Sequence, residues 1–199
     1  MADPAYIDPA TNVLTDGEAW VGITTTTLGS DTAVVTFTST DDGQVGDFSQ
    51  YMDLFLIIYG RNDRADTGSA EGKMNFNNDT GSNYPYQDFR GNGSAASASV
   101  SSGATYIPVG MFIRNNETAN IFCASIVHMF DINSGKYKSS LVHYACEILD
   151  GSGYDYAGIT ASTWKSQAPI TEIDLTVPYG DWLTGSQFSL FGVLPRMVA

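Results

Sequence analysis

The chain has 199 residues. A domain of this length buries about 70% of the surface that its unfolded form exposes, so it needs no staples to hold a core. Hydrophobic residues make up 43% and charged residues 16%, which excludes wholesale disorder. Nine Lys and Arg against 22 Asp and Glu give a formal net charge of -13, which excludes general binding to nucleic-acid phosphates and disfavours anionic membrane surfaces.

Residues 1–18 read as an extended arm, set apart from a single β-sandwich domain over residues 19–199. Pro4 and Pro9 bias the residues before them away from helix. Tyr6, Ile7, Val13 and Leu14 are the arm's apolar points and its expected contacts with a partner protein. The first residues carry neither the basic segment nor the apolar run of a signal peptide.

Strand signals recur from Trp20 onward. Thr32 to Thr38 has β-rich composition and is broken by Asp41-Asp42-Gly43. Asp53 to Gly60 is a continuous apolar run, which predicts a strand buried on both faces. Residues 60–72 read as a polar loop holding Arg61 and Arg64. Lys73 to Asn77 alternates as a strand with one wet face should. The small-residue stretch 94–103 reads as a surface loop or edge. Tyr106 to Ile113 and Asn120 to Met129 are further strands.

Lys138 to Ile148 has period two, with Val142, Tyr144, Cys146 and Ile148 on one face and Leu141, His143, Ala145 and Glu147 on the other. Residues 169–177 repeat the pattern, with Ile173, Leu175 and Val177 inward. Gln187 to Val193 closes the chain's strands with Phe188 and Leu190 on one face. Many short strands with turn signals between them predict an all-β, antiparallel β-sandwich or jelly roll carrying an extended N-terminal arm.

Motifs for chemistry are absent. There is no nucleophile elbow and no phosphate-cradling glycine loop. His128 and His143, the only histidines, belong to no nucleophile motif. The many carboxylates make some close pair inevitable, which says nothing without geometry. The chain therefore reads as a non-enzyme. Asp41-Asp42 and Asn77-Asn78-Asp79 could offer oxygens to Ca2+, but turn-forming Asn and Asp explain them more simply, and no cofactor is expected. Cys123 and Cys146 have no metal-ligand spacing and do not make a disulfide framework, so they read as free, buried thiols. Among 11 Tyr, 10 Phe and 3 Trp, the tyrosines Tyr84, Tyr86, Tyr154 and Tyr156 lie in apparent loops. They are candidates for surface recognition of a sugar or protein, with packing as the plainer alternative.

Several segments, taken in order, resemble a structural domain of tailed bacteriophages. Leu28-Gly29-Ser30-Asp31 matches its opening. Met74 to Tyr84 followed by Gly91-Asn92-Gly93-Ser94 resembles a motif of small phage structural proteins. Phe130-Asp131-Ile132-Asn133 with Lys136-Tyr137-Lys138 is similar to an Asp-rich turn before a Lys-x-Lys strand. Trp164, Ala168-Pro169-Ile170-Thr171 and Ile173-Asp174-Leu175 follow, and Gly185 to Val193 resembles the closing strand, with Phe191 where Tyr is usual. The domain resembled is the β-rich one that often closes phage fibre and appendage chains.

The resemblance implies a virion surface module without catalytic residues. The expected role is capsid decoration (cement) or an appendage such as a tail fibre. Assembly is expected in the host cytoplasm, as a homo-oligomer and most simply a homotrimer, with the arm on a major capsid or tail protein. The alternative is a receptor- or carbohydrate-binding tail-fibre adhesin that contacts a host-surface glycan. No nucleic acid or membrane partner is implied.

Overall fold

The computed structural model describes residues 7–8, 13–14, 20–147 and 155–194. These form an antiparallel β-sandwich. Near the N-terminus, Ile7–Asp8 (β1) and Val13–Leu14 (β2) pair as a short antiparallel ribbon inside the segment read as an arm. The larger sheet has eight strands, in the order β3 (Trp20–Thr27), β14 (Gln187–Val193), β5 (Asp53–Gly60), β10 (Cys123–Phe130), β11 (Lys138–Cys146), β12 (Tyr156–Trp164), β7 (Tyr86–Gly91) and β8 (Ala96–Ser101). The smaller sheet has four, in the order β4 (Val34–Thr38), β13 (Glu172–Thr176), β6 (Ser69–Phe76) and β9 (Ile107–Ile113).

Period-two patterning makes the core. Leu54, Leu56 and Ile58 of β5, Val127 and Met129 of β10, and Phe188 and Leu190 of β14 are buried, facing Met74, Phe76, Val109, Ile173 and Leu175 of the smaller sheet. Each such side chain contributes on the order of 1.5–3 kcal/mol through burial. Trp182 is fully buried among them. Its ring meets Phe112 at 4.8 Å and Phe188 at 5.0 Å edge-on, and its Nε1 donates to the Leu175 carbonyl at 3.1 Å.

Among the described residues, two cations are interior. The Arg61 guanidinium donates to the carbonyls of Arg114, Asn115, Glu117, Thr118 and Ile121 and so shapes the loop after β9. Lys138, also fully buried, donates through Nζ to the carbonyls of Ser134 and Lys136, both at 2.5 Å. Burial lowers the pKa of both groups.

Three expectations from the sequence are corrected. The apolar run of β5 is not buried on both faces, because Ile57 and Tyr59 are exposed on the outer side of the larger sheet. Cys123 and Cys146 are not free thiols but a disulfide. Ala124 pairs with Ala145 across β10 and β11, so the two cysteines lie directly opposite, with Cα atoms 4.5 Å apart as in a non-hydrogen-bonded cross-strand pair. Chain reversal between these strands brings together residues 23 apart in sequence. Finally, the stretches 86–91 and 156–164, not read as strands, are β7 and β12.

Candidate functional site

The smaller sheet ends at β9, which packs chiefly on β11. Strand β7 lies two places beyond β11, so inward side chains of β7 sit at the margin of the sandwich. Asp88 is buried there and accepts, on one oxygen, from the Tyr144 and Thr160 hydroxyls, both at 2.9 Å. Its other oxygen lies 3.9 Å from Arg90 Nε. The Arg90 guanidinium reaches the Met111 sulfur at 3.5 Å and lies 5.8 Å from the centre of the Tyr156 ring. A thioether is a weak acceptor, and the Tyr144 hydroxyl is also within hydrogen-bonding reach of Arg90.

Beside it on the smaller sheet, the Tyr106 hydroxyl donates to Glu71 at 2.9 Å and Lys73 Nζ lies 4.4 Å from the Tyr106 ring centre. Burial pushes the Glu71 carboxyl up, against the pull of the Tyr106 hydrogen bond and Arg90. Burial, and then the Glu71 charge, pushes up the phenols of Tyr86 and Tyr106. Burial and Asp88 do the same to Tyr144. The three phenols are therefore protonated donors at neutral pH. Two of these phenols donate to the two carboxyls, Tyr106 to Glu71 and Tyr144 to Asp88, so the group is an internally paired network beside the Arg90 guanidinium.

The outer face of the larger sheet is the second feature. Strand register sorts its side chains into rows that cross the sheet. One row runs from the exposed Tyr59 through the small residues Ala124, Ala145, Ala157 and Gly91. The next, two residues along each strand, holds Ile57, Ile126, His143, Ile159 and Phe89. Its apolar members protrude into solvent: Phe89 is 56% exposed, Ile126 47%, Ile57 40% and Ile159 39%. A third row runs through Phe55, His128, Leu141, Ala161 and Gln87. None of the three rows contains Lys, Arg, Asp or Glu. A hollow of about 390 Å³ lies between the first two, over Ala124, Ala145 and Ala157. At the edge of the face, Trp20, Phe55, His128 and Phe130 stack in sequence, and His128 Nε2 lies 2.8 Å from Asp53.

The residues singled out by sequence separate into three groups. Tyr84 is not a surface aromatic. It is fully buried against Phe76 and Trp164, its hydroxyl accepts from Phe76 N at 3.1 Å and donates to the Asp79 carbonyl at 2.9 Å, and burial pushes its pKa up to about 12. A Tyr-Pro-Tyr loop sequence carries no sign of which ring turns inward. Tyr86 and Tyr156 are half-buried and both belong to the surroundings of Arg90, one through charge and one through its ring. Tyr6 and Tyr154 lie outside the described residues, as do the side chains of Ile7, Val13 and Leu14.

The turn carboxylates considered for Ca2+ are engaged locally. Asp42 accepts from Thr40 and Gln44, and Asp79 accepts from Trp164, Asn83 and Gly81. Among the described residues no cluster of three His, Cys, Asp or Glu could hold a metal ion. Sequence reading missed Glu71, Asp88, Arg90 and Tyr106. One signal was available: in Tyr86-Gln87-Asp88-Phe89-Arg90, two of the chain's charges fall on the face opposite Phe89.

No protein-family model matches the chain, and no curated protein matches it. Crystal structures of Scytalido-glutamic peptidase with a peptide-based transition-state analog and with a transition-state analog inhibitor are similar at 9% and 10% identity, with a TM-score of 0.26 each. Those alignments cover 87% and 83% of this chain and 69% and 66% of the peptidase chains. The CBM40 of Ruminococcus gnavus IT-sialidase, bound to alpha2,3 sialyllactose, is similar at 6% identity over 88% of this chain and 95% of that one, with a TM-score of 0.28. Likeness at this level carries no argument about chemistry.

Proposed function

We propose that the chain is a non-enzymatic structural protein of the bacteriophage particle surface, a capsid decoration or appendage protein that self-associates and attaches through residues 1–18. The observation that carries the assembly part of this reading is the uncharged, largely apolar centre of the larger sheet's outer face. Solvent-facing strands normally alternate apolar with polar side chains. A broad apolar face left open marks a contact surface. The phage part rests on the ordered sequence resemblance.

The test is incorporation. A chain lacking residues 1–18 is expected to keep its Cys123–Cys146 disulfide and cooperative unfolding but to be missing from purified particles. Normal incorporation of the truncated chain would contradict attachment through this segment. Hundreds of copies per particle mean decoration, and a handful at the tail mean an appendage.

A second reading, a glycan-binding adhesin module, is favoured by one observation: the Arg90 cluster bordered by Tyr86, Tyr106 and Tyr156. It predicts that Arg90→Ala abolishes adsorption to host cells while leaving incorporation intact. Loss of neither would remove it. Cleavage of host polysaccharide by the purified chain would overturn the non-enzymatic reading.

A further inference from the structure

We infer that the Cys123–Cys146 bond is a redox lock added after folding. The sandwich folds with two open thiols, the β10–β11 ladder sets them opposite each other, and a small-molecule disulfide closes them once the folded chain reaches an oxidising medium.

Three observations point to closure in the folded state. The first is that each cysteine is placed from outside the pair. β10 and β11 are central strands of the larger sheet, flanked by β5 and β12. Cys123 also lies opposite Gly60 of β5, and Cys146 opposite Tyr156 of β12. The Ile113 amide at the end of β9 donates to the Cys123 sulfur at 3.3 Å. The ladder between β10 and β11 itself runs on from Ala124 with Ala145 to Phe130 with Ser139. None of these contacts needs a bond between the two sulfurs. With Cα atoms 4.5 Å apart, the pair can be bridged without moving the backbone.

The second is packing. Both side chains are buried in the hydrophobic core, Cys123 at 1% and Cys146 at 6% exposure. A free cysteine packs as a small apolar side chain, so the same core accepts the reduced pair.

The third is access. Cys146 lines a hollow of about 650 Å³ together with Gly91, Gly93, Tyr156 and Ala157, whereas Cys123 does not reach it. Glu147 and Asp155 are on the wall of this hollow and favour a cationic disulfide there.

The order of bonds follows from that access. The Cys146 thiolate attacks a small disulfide, forming a mixed disulfide and releasing one small thiol. The Cys123 thiolate, already opposite, attacks the Cys146 sulfur and releases the second small thiol. Two protein thiols lose two electrons, the small disulfide gains them, and the two protons pass to the released thiols. A reducing cytosol keeps thiols open, and disulfides persist in oxidising media. A chain made in a reducing cytoplasm therefore folds open and gains the bond on leaving it. Particle assembly plays no part in these steps, so they are tested on the purified chain.

The experiment takes the full chain, reduced and then freed of reductant, and adds cystamine, a dication. Products are read by mass spectrometry after acid quench. The reduced chain is expected to keep the circular dichroism of the oxidised chain and a cooperative melt, with a midpoint lower by about 6–12 °C. Folded, it should close to the internal bond with little cysteamine adduct. In concentrated urea the ratio of internal bond to doubly capped chain should fall by about tenfold or more, because the ladder no longer holds the sulfurs together. Among folded single variants, Cys123→Ala should take up cysteamine at Cys146 at least about tenfold faster than Cys146→Ala takes it up at Cys123. Should a single variant unfold, the wild-type ratio still decides the lock.

A reduced chain that binds hydrophobic dye and melts without cooperativity would show that folding needs the bond, and would overturn the lock. So would a folded chain that ends doubly capped, or a midpoint unchanged by closure. A bond already closed in chain extracted from a reducing cytosol under alkylating quench would overturn it too. Equal uptake by the two single variants would overturn entry at Cys146.

Discussion

The guanidinium of Arg61 holds the loop 114–121 by donating to five of its carbonyls from a site with almost no solvent exposure. Burial disfavours its charge, and Glu117 offsets part of that. Glu117 in turn accepts from the Gly68 amide, which sits at a φ of 108° that glycine adopts freely. Lysine would keep the charge but not the planar fork, leaving several carbonyls without a donor. Arg61→Lys should therefore lose about 2–4 kcal/mol of stability, read from urea midpoints at constant slope. A loss below about 0.5 kcal/mol would mean that the loop closes without the fork. Asp79 offers a pH test. Burial works against its carboxylate, but hydrogen bonds from Trp164, Asn83 and Gly81 outweigh it and hold the pKa below the usual value. A depressed folded pKa gives stability that is full above the unfolded value of about 4 and is lost as pH falls through the folded value. Asp79→Asn should be less stable than wild type at neutral pH, and the gap between their melting temperatures should narrow below about pH 4. A gap that stays constant to about pH 2 would rule out this linkage.

Strands β10 and β11 are joined twice, by their ladder and by the Cys123–Cys146 disulfide. The bridge closes a segment 23 residues long, for which the chain-entropy estimate is about 3 kcal/mol. Replacing both cysteines with Ala should lower the melting temperature by roughly 6–12 °C without changing the fold, measured by calorimetry with matched reductant-free buffers. An unchanged melting temperature would show that the ladder alone sets the stability of this pair. Much of the architecture was legible in the sequence. β11, β13 and β14 alternate cleanly, and Val142, Tyr144, Ile173, Leu175, Phe188 and Leu190 are buried as that alternation requires. β7 was not, because its inward face carries Asp88 and Arg90 while Phe89 points outward, which inverts the usual pattern. β12 was hidden by its small residues, Ala157, Gly158, Ala161 and Ser162. Gly158 is small for a reason visible only in three dimensions: the Tyr144 ring crosses it, and a Cβ there would come within 2.4 Å of that ring. The Arg90 cluster was illegible for the same kind of reason. Its members come from β6, β7, β11 and β12 and from the residues before β9, and only the sheet order brings them together.

The molecule sets a net acidic charge against a sheet face whose central rows carry no charge, and the balance between them should depend on ionic strength. At -13 per chain, like-charge repulsion between copies is longest-ranged in dilute salt, where the screening length is about 30 Å at 0.01 M against about 8 Å at 0.15 M. Apolar attraction between copies acts at contact and is nearly insensitive to that change. Self-association should therefore be weaker at about 0.01 M than at about 0.15 M monovalent salt, by a factor that grows with the acidic surface brought within one screening length. Three conditions separate the causes: chelator at low salt, chelator at matched higher salt, and low salt with added calcium. Recovery by either salt or calcium means screening alone. Recovery by calcium only would mean an oxygen-lined site between copies, because the Asp42 and Asp79 carboxylates already accept hydrogen bonds within their own turns. Association indifferent to all three would place the acidic residues beyond reach of the contact and leave them as a solubility device, in which case the apolar face acts without electrostatic opposition.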